Sequence, residues 1–489
     1  LATKTYINKS NSMKYYLKII LLLITLIAYG CANPTSNKTK EENQQEFDTY
    51  VIKNVNVIPM TENNNEVIKS ATVVIQNQKI ISINDTLPKD SNVIDGTGKW
   101  LIPGLIDMHV HSITDINFKE NKPTEGANYF LNTQDVMVPF ITNGVTTIFD
   151  LDSRIEHFAQ RNEIIEGKVI GPRMALAPLI DGGDNGKKVN TPEQGRQAVR
   201  IAKANGYNFI KVYSFLNAET FKAIVDEAEK QGLKVVGHIP DVFKGNLEEV
   251  FVPNFGLVAH AEEYSKHSKD FTVEDAEYFA QLAKKNNTWL TSSLTTMIWI
   301  GKQLRSVDSV RNSETLKYVY PLISNRWVNS NFYYNQTSPE FITRVDNLID
   351  FQEKLIKAFN EAKVPIVAGT DAGIPGIVPG FSLQDELELL AAYGMTNEQV
   401  LASATRLPAQ WLGIDHKVGT IEVGKYADLL LLDKNPLENI KNTRKIQGVF
   451  VNGTWLDKKK IETMLSDLAK WNTSMKDNDR YQWENRRNY

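Results

Sequence analysis

The stretch Leu105-Ile-Asp-Met-His-Val-His111 decides the fold: an apolar run of strand length that ends in two histidines. Seven comparable runs follow it, at 144–149, 173–177, 208–213, 234–238, 257–260, 289–293 and 365–371. Helical patterns lie between them. In one, Phe221, Ile224, Val225 and Ala228 fall at i, i+3, i+4 and i+7 and would bury a single face. Eight strand–helix alternations within about 270 residues predict an α/β fold of the (β/α)8 type, closed as a barrel.

Outward from that core, short alternating runs at 50–58, 71–75 and 79–83 read as sheet strands, and the same pattern returns at 427–432 and 446–455. Both ends are therefore expected in one small β-sandwich domain, 47–103 with 404–457, around a barrel at 104–403. In the tail 458–489, Ile461, Leu465, Leu468 and Trp471 have helical spacing and predict a docked terminal helix. The stretch 296–351 is insertion-sized and carries Trp299, Trp327, Phe332, Tyr333 and Tyr334. It reads as a lid over the barrel mouth or as an extra helical layer with its aromatics turned inward.

Composition narrows the chemistry. The 489 residues hold 55 Lys plus Arg against 58 Asp plus Glu, a net charge of −3, so counterion release gives no drive toward nucleic acid. One cysteine excludes an intramolecular disulfide and a thiolate-rich metal centre, which leaves histidines and carboxylates as ligands. Lys14 and Lys18 precede the apolar run 19–28, too short for a membrane span of about 20 residues, and the run leads into Ala28-Tyr29-Gly30-Cys31. This resembles a bacterial lipoprotein signal, with residues 1–12 as upstream sequence, and implies export to the cell envelope, lipidation of Cys31 and a membrane anchor. An ordinary secretory signal is the other reading. Residues 32–46 are almost wholly polar and are expected to act as a flexible tether.

The chemical residues gather at strand ends. His109 and His111 lie two apart, on one face of the first strand, and Lys211, His238, His260 and Asp371 close four others. Barrel enzymes build their sites at that end. Tyr213 follows Lys211 on the same face, as a substrate or oxyanion contact or as packing. His157, His267 and His416 match no pattern and read as surface or loop residues.

Gly104-Leu-Ile-Asp-Met-His-Val-His111, the Lys211 strand, Gly237-His238, His260, Gly369-Thr-Asp-Ala-Gly373 and Val418-Gly-Thr-Ile-Glu-Val-Gly-Lys-Tyr-Ala-Asp-Leu429 stand in order. Together, over residues 50–457, they resemble the metal-dependent amidohydrolase superfamily in its imidazolonepropionase-like and prolidase-like branch. The resemblance implies two divalent ions, zinc first among the candidates. His109, His111 and Asp371 would hold one, His238 and His260 the other, and Lys211 would bridge both as a CO2-derived carbamate. A bare ammonium beside two divalent cations would be repelled, whereas a carbamate is an anionic oxygen ligand. The implied reaction is hydrolysis of a C–N amide bond in a small linear or cyclic substrate, dipeptide-like or a cyclic amide. A metal-activated hydroxide attacks, and Asp371 accepts its proton as general base and passes it to the leaving nitrogen. Three alternatives stay open: lactone, ester or phosphotriester hydrolysis at the same site, a mononuclear deaminase-like centre, and a surface lipoprotein that binds a ligand without catalysis. A homo-oligomer is possible.

Overall fold

The computed structural model describes residues 49–486, apart from 63–65, 85–87, 89–90, 113–114, 117–128 and 184–188. The signal-like run, Cys31 and the tether lie outside the described residues. Among those described, no helix is long and apolar enough to cross a membrane.

All eight expected strands form: Leu105–Val110, Val145–Asp150, Arg173–Leu176, Phe209–Val212, Lys234–Gly237, Phe255–Ala259, Trp289–Thr291 and Ile366–Val367. Each pairs in parallel with the next, except that the third reaches the fourth only through a separate continuation. The third strand is broken at Pro178, which has no N–H to donate. Its first part pairs back onto the second strand, and a short continuation, Leu179–Ile180, pairs onward to the fourth. Closure runs through the first and eighth strands: Met108 N donates to Ala368 O at 3.0 Å and His111 N to Ala372 O at 2.7 Å.

Side chains alternate between two cores. Ile106, Met108, Phe149, Phe209, Leu257 and Val367 point into the barrel, while Val110, Ile148, Ile210 and Val258 join the larger core beneath the helices. The barrel floor is sealed by residues 409–418. Trp411 stacks on Phe209 with ring centroids 5.6 Å apart and donates to Gly256 O at 3.3 Å. Residues 404–418, expected with the terminal sheet, thus supply Ala409, Trp411, Leu412 and Val418 to the barrel interior, because a barrel of eight strands needs bulky side chains to fill its lower layers.

The two chain ends share one mixed sheet. Leu429–Leu432 pairs antiparallel with Trp100–Pro103, which in turn pairs parallel with Tyr50–Val57. Thr454–Asp457 and Lys79–Ile83 form its two edges. The insertion folds as helices Leu294–Arg305, Asp308–Arg311, Pro321–Asn329 and Pro339–Glu361. Trp327 is buried with Leu322 and Ile323, so the layer is helical and packed.

Candidate active site

Lys211 reaches the barrel mouth by simple alternation, two residues above the inward Phe209. His109 does not. With Ile106 and Met108 inward, a regular strand would turn His109 out, but the register shifts between Asp107 and Val110. Such an irregularity re-aims side chains, and here His109 and His111 face inward while Val110 joins the outer core. Asp107 holds the distortion: Oδ1 accepts from His109 N at 3.2 Å and Thr370 N at 3.0 Å, and Oδ2 from Thr370 Oγ1 at 2.7 Å. Burial raises this carboxyl to about 7, with the Thr370 hydrogen bonds opposing it.

His260 and Asp371 are aimed by left-handed backbone, at φ 79° and 60°. Each such residue costs of order 1–3 kcal/mol and persists only where its surroundings hold it. Asp371 N is tied to His109 O at 2.7 Å and Ala261 N to Ser292 O at 3.1 Å.

The six strand-end residues meet at one place. Asp371 Oδ1 lies 2.9 Å from His111 Nε2 and 3.3 Å from His109 Nε2, and Asp371 Oδ2 is 3.9 Å from His260 Nδ1. Ring centroids are 4.4 Å apart for His109 and His260 and 5.0 Å for His238 and His260. His109, His260 and Asp371 can offer ligand atoms within 4.8 Å of one another. Both His109 nitrogens, His260 Nδ1 and Lys211 Nζ are buried without a hydrogen-bond partner. Orphaned donors and acceptors at this density fit a cation site, because buried polar groups are otherwise satisfied.

Electrostatics agree with that arrangement. Burial, helped by the neighbouring Lys211, holds His109 and His238 well below the ordinary imidazole range, and burial lowers His260 to about 3, so all three are neutral donors. Burial opposes ionisation of Asp371, but His260 and His111 outweigh it and keep the carboxyl below its usual range. His111 is the reverse case: burial disfavours its charge, and Asp371 raises it. Burial brings the Lys211 amine down to about 8.

Around these residues lies a supporting shell that sequence reasoning passed over. His238 Nδ1 is 2.9 Å from Ser214 Oγ and 3.2 Å from Glu263 Oε1. A proton held there leaves Nε2 free as a ligand atom, the usual device for orienting a metal-binding imidazole. Glu263 also accepts from Ile239 N at 2.8 Å and pairs with Lys266 at 2.6 Å. Its position, three residues past His260 in a paired Glu262-Glu263, was the one sequence signal. Tyr213 lies against His238 with centroids 4.0 Å apart and the rings tilted by 32°. From the insertion, Tyr333 is largely buried and feels the charges of Asp371 and Glu262; burial, then those charges, raises its phenol. The insertion is therefore a packed helical layer that also presents one aromatic residue to the mouth, while Phe332 and Tyr334 stay exposed.

The remaining histidines are not a surface set. His157 is 3% exposed, with Nε2 3.0 Å from Ser112 O and Nδ1 accepting from Arg154 N at 3.0 Å, so it braces the loop behind His111. His267 is partly buried, and His416 is exposed as expected. Just past Ile180, Asp181 Oδ1 accepts from Gly182 N and Phe215 N, both at 2.8 Å.

The amidohydrolase family profile matches residues 100–456. The imidazolonepropionase of Psychrobacter cryohalolentis is 25% identical over 381 residues, covering 75% of this chain and 82% of that protein. The 5-methylthioadenosine/S-adenosylhomocysteine deaminase of Caldanaerobacter subterraneus subsp. tengcongensis is 24% identical over 465 residues, 85% of this chain and 94% of its own length. Among solved structures, a Xaa-Pro dipeptidase with bound methionine superposes with TM-score 0.64 at 21% identity, over 84% of this chain and all of its own. Barrel, strand-end constellation and profile converge: the chain belongs to the amidohydrolase family and is a hydrolase acting on carbon–nitrogen bonds.

Proposed function

We propose that the protein cleaves the amide bond of a small dipeptide-like or cyclic amide substrate at a binuclear centre. His109, His111 and Asp371 would hold one divalent ion and His238 and His260 a second, with Lys211 carboxylated between them. The observation that carries this reading is the buried Lys211 Nζ, which has no hydrogen-bond partner and faces Asp371 and the imidazoles. An amine brought down to about 8 is unprotonated in an appreciable fraction at neutral pH, the form that can take up CO2. Divalent ions held there would supply a hydroxide nucleophile at neutral pH and Lewis acidity toward the carbonyl. Asp371, ionised and buried, accepts the nucleophile's proton and returns it to the leaving nitrogen. Tyr213 lies against the His238 ring, and Tyr333 is near enough to feel the charge of Asp371.

The test is elemental analysis of the metal-supplemented protein with and without Lys211→Ala. Two transition metals per chain in the parent, about half in the variant, and loss of most turnover on dipeptides and cyclic amides support the reading. Full metal and full rate in the variant would remove the bridge. A second reading, a mononuclear deaminase-like centre, is favoured by the close triad His109, His260 and Asp371 and by the deaminase relative. One metal per chain with ammonia release from an aminopurine nucleoside would select it.

For location, we propose export and lipid anchoring through Cys31, on the sequence pattern alone. Membrane association of the full chain that is lost in Cys31→Ser supports it.

A further inference from the structure

The terminal helix Lys458–Met475 lies beyond the profile match and packs on the helix Thr133–Thr142 and the turn Leu316–Tyr318. Where these elements meet, a cleft opens beside His111 and Gly373 and runs under Tyr320, Trp327 and Leu468. Its cavity volume is about 50 Å³ and it is partly open to solvent, which is room for a slender, unbranched side chain of a few heavy atoms beside His111. His111 keeps about a third of its side chain exposed.

The walls are mostly apolar, and Asp135 is the one carboxylate among the lining residues. Asp135 is half-buried and has no salt-bridge partner among the described residues; burial alone raises its carboxyl. The cation nearest in sequence to the cleft, Lys317, lies over the Tyr318 ring at 5.2 Å. Asn472, also lining, donates through Nδ2 to Lys317 O at 2.9 Å and leaves a buried Oδ1 unpartnered. An unpaired, partly desolvated carboxylate in an apolar cleft is costly, and a ligand cation on a methylene stem offsets that cost while covering the walls.

We infer that this cleft is a specificity subsite for a substrate side chain with an apolar stem and a cationic tip, of the lysine or arginine kind, with Asp135 as its counter-ion. The inference rests on the amide-hydrolase reading above and names the substrate class for it. A carboxylate-tipped side chain would be repelled, and a purely apolar one would leave Asp135 unpaired.

The experiment compares side chains that differ only in the ammonium group. The metal-loaded full chain is offered Ala-Lys and Lys-Ala beside Ala-norleucine and norleucine-Ala. A charge-assisted contact predicts roughly 10- to 100-fold higher kcat/KM for lysine in one of the two orders. In Asp135→Asn that ratio should collapse to within about threefold, and Asp135→Glu should restore most of it. Because the readout is a ratio within each variant, a general loss of folding or metal does not imitate it. No lysine preference in either order, or a preference that survives Asp135→Asn, overturns the subsite. If no dipeptide is cleaved, the hydrolytic reading fails separately, and calorimetry decides the cleft. Tighter binding of Nα-acetyl-lysine than of Nα-acetyl-norleucine, lost in Asp135→Asn, supports it. Equal binding, or none, overturns it.

Discussion

Replacing Glu263 separates a supporting role from a merely structural one. Its Oε1 is 3.2 Å from His238 Nδ1 and 2.6 Å from Lys266 Nζ, and its Oε2 accepts from the buried Ile239 N–H at 2.8 Å. In Glu263→Gln an amide oxygen can still accept a hydrogen bond, but the negative charge facing His238 and Lys266 is gone. Loss of such a partner weakens metal affinity by about 10- to 100-fold, and the Gln variant belongs at the lower end because Ser214 Oγ, at 2.9 Å, still orients the ring. Glu263→Ala strands the Ile239 N–H as well, which costs a further ~1–3 kcal/mol of stability. Ser214→Ala alone should be mild, and the Ser214→Ala/Glu263→Gln pair should exceed the sum of its parts, since only an uncharged amide oxygen then faces His238 Nδ1. The assay is chelator competition for zinc at fixed pH, with thermal melting of each metal-free variant run beside it. Parent-like zinc affinity in the double variant, with melting unchanged, would refute the orienting role of this pair.

Tyr333→Phe removes a hydroxyl at the mouth and keeps the packing. If Tyr333 touches substrate, kcat/KM falls while melting is unchanged; steady-state kinetics with a cleaved dipeptide checks this. Gly237 sits at φ 154°, and an added Cβ would lie 2.1 Å from Val212 O, so Gly237→Ala should cost about 3 kcal/mol and displace His238. Denaturant unfolding and metal content read both effects. His267 has both ring nitrogens buried without partners, and burial lowers it to about 4. Since the unfolded imidazole titrates near 6.5, the unfolded state binds more protons between pH 6.5 and 4, and stability falls as pH drops through that window. His267→Phe should reduce the fall, seen in melting temperatures between pH 7 and 4.

The eight barrel strands and the terminal helix were legible in the chain because apolar periodicity and strand-end chemistry are local signals. Ile461 and Leu468 are buried as their helical spacing predicts. The strand-end residues were legible as a set for the same reason: a barrel gathers the C-terminal ends of its strands whatever its loops do. Less legible was how each residue is aimed. Strict alternation from Met108 turns His109 outward, and only the register shift held by Asp107 and Thr370, 263 residues apart, turns it in. His260 and Asp371 depend on left-handed backbone that no residue type announces. The buried setting of His157, the use of Trp411 as the barrel floor, the hold of Ser214 and Glu263 on His238, and the cleft between His111 and the terminal helix all join segments distant in sequence. By itself the sequence determined the class of fold and which side chains could carry the chemistry, since strand periodicity and residue type are written position by position. The tertiary structure alone decided their orientation, their protonation and the shape of the space beside them, since those depend on burial and on partners that only folding brings together.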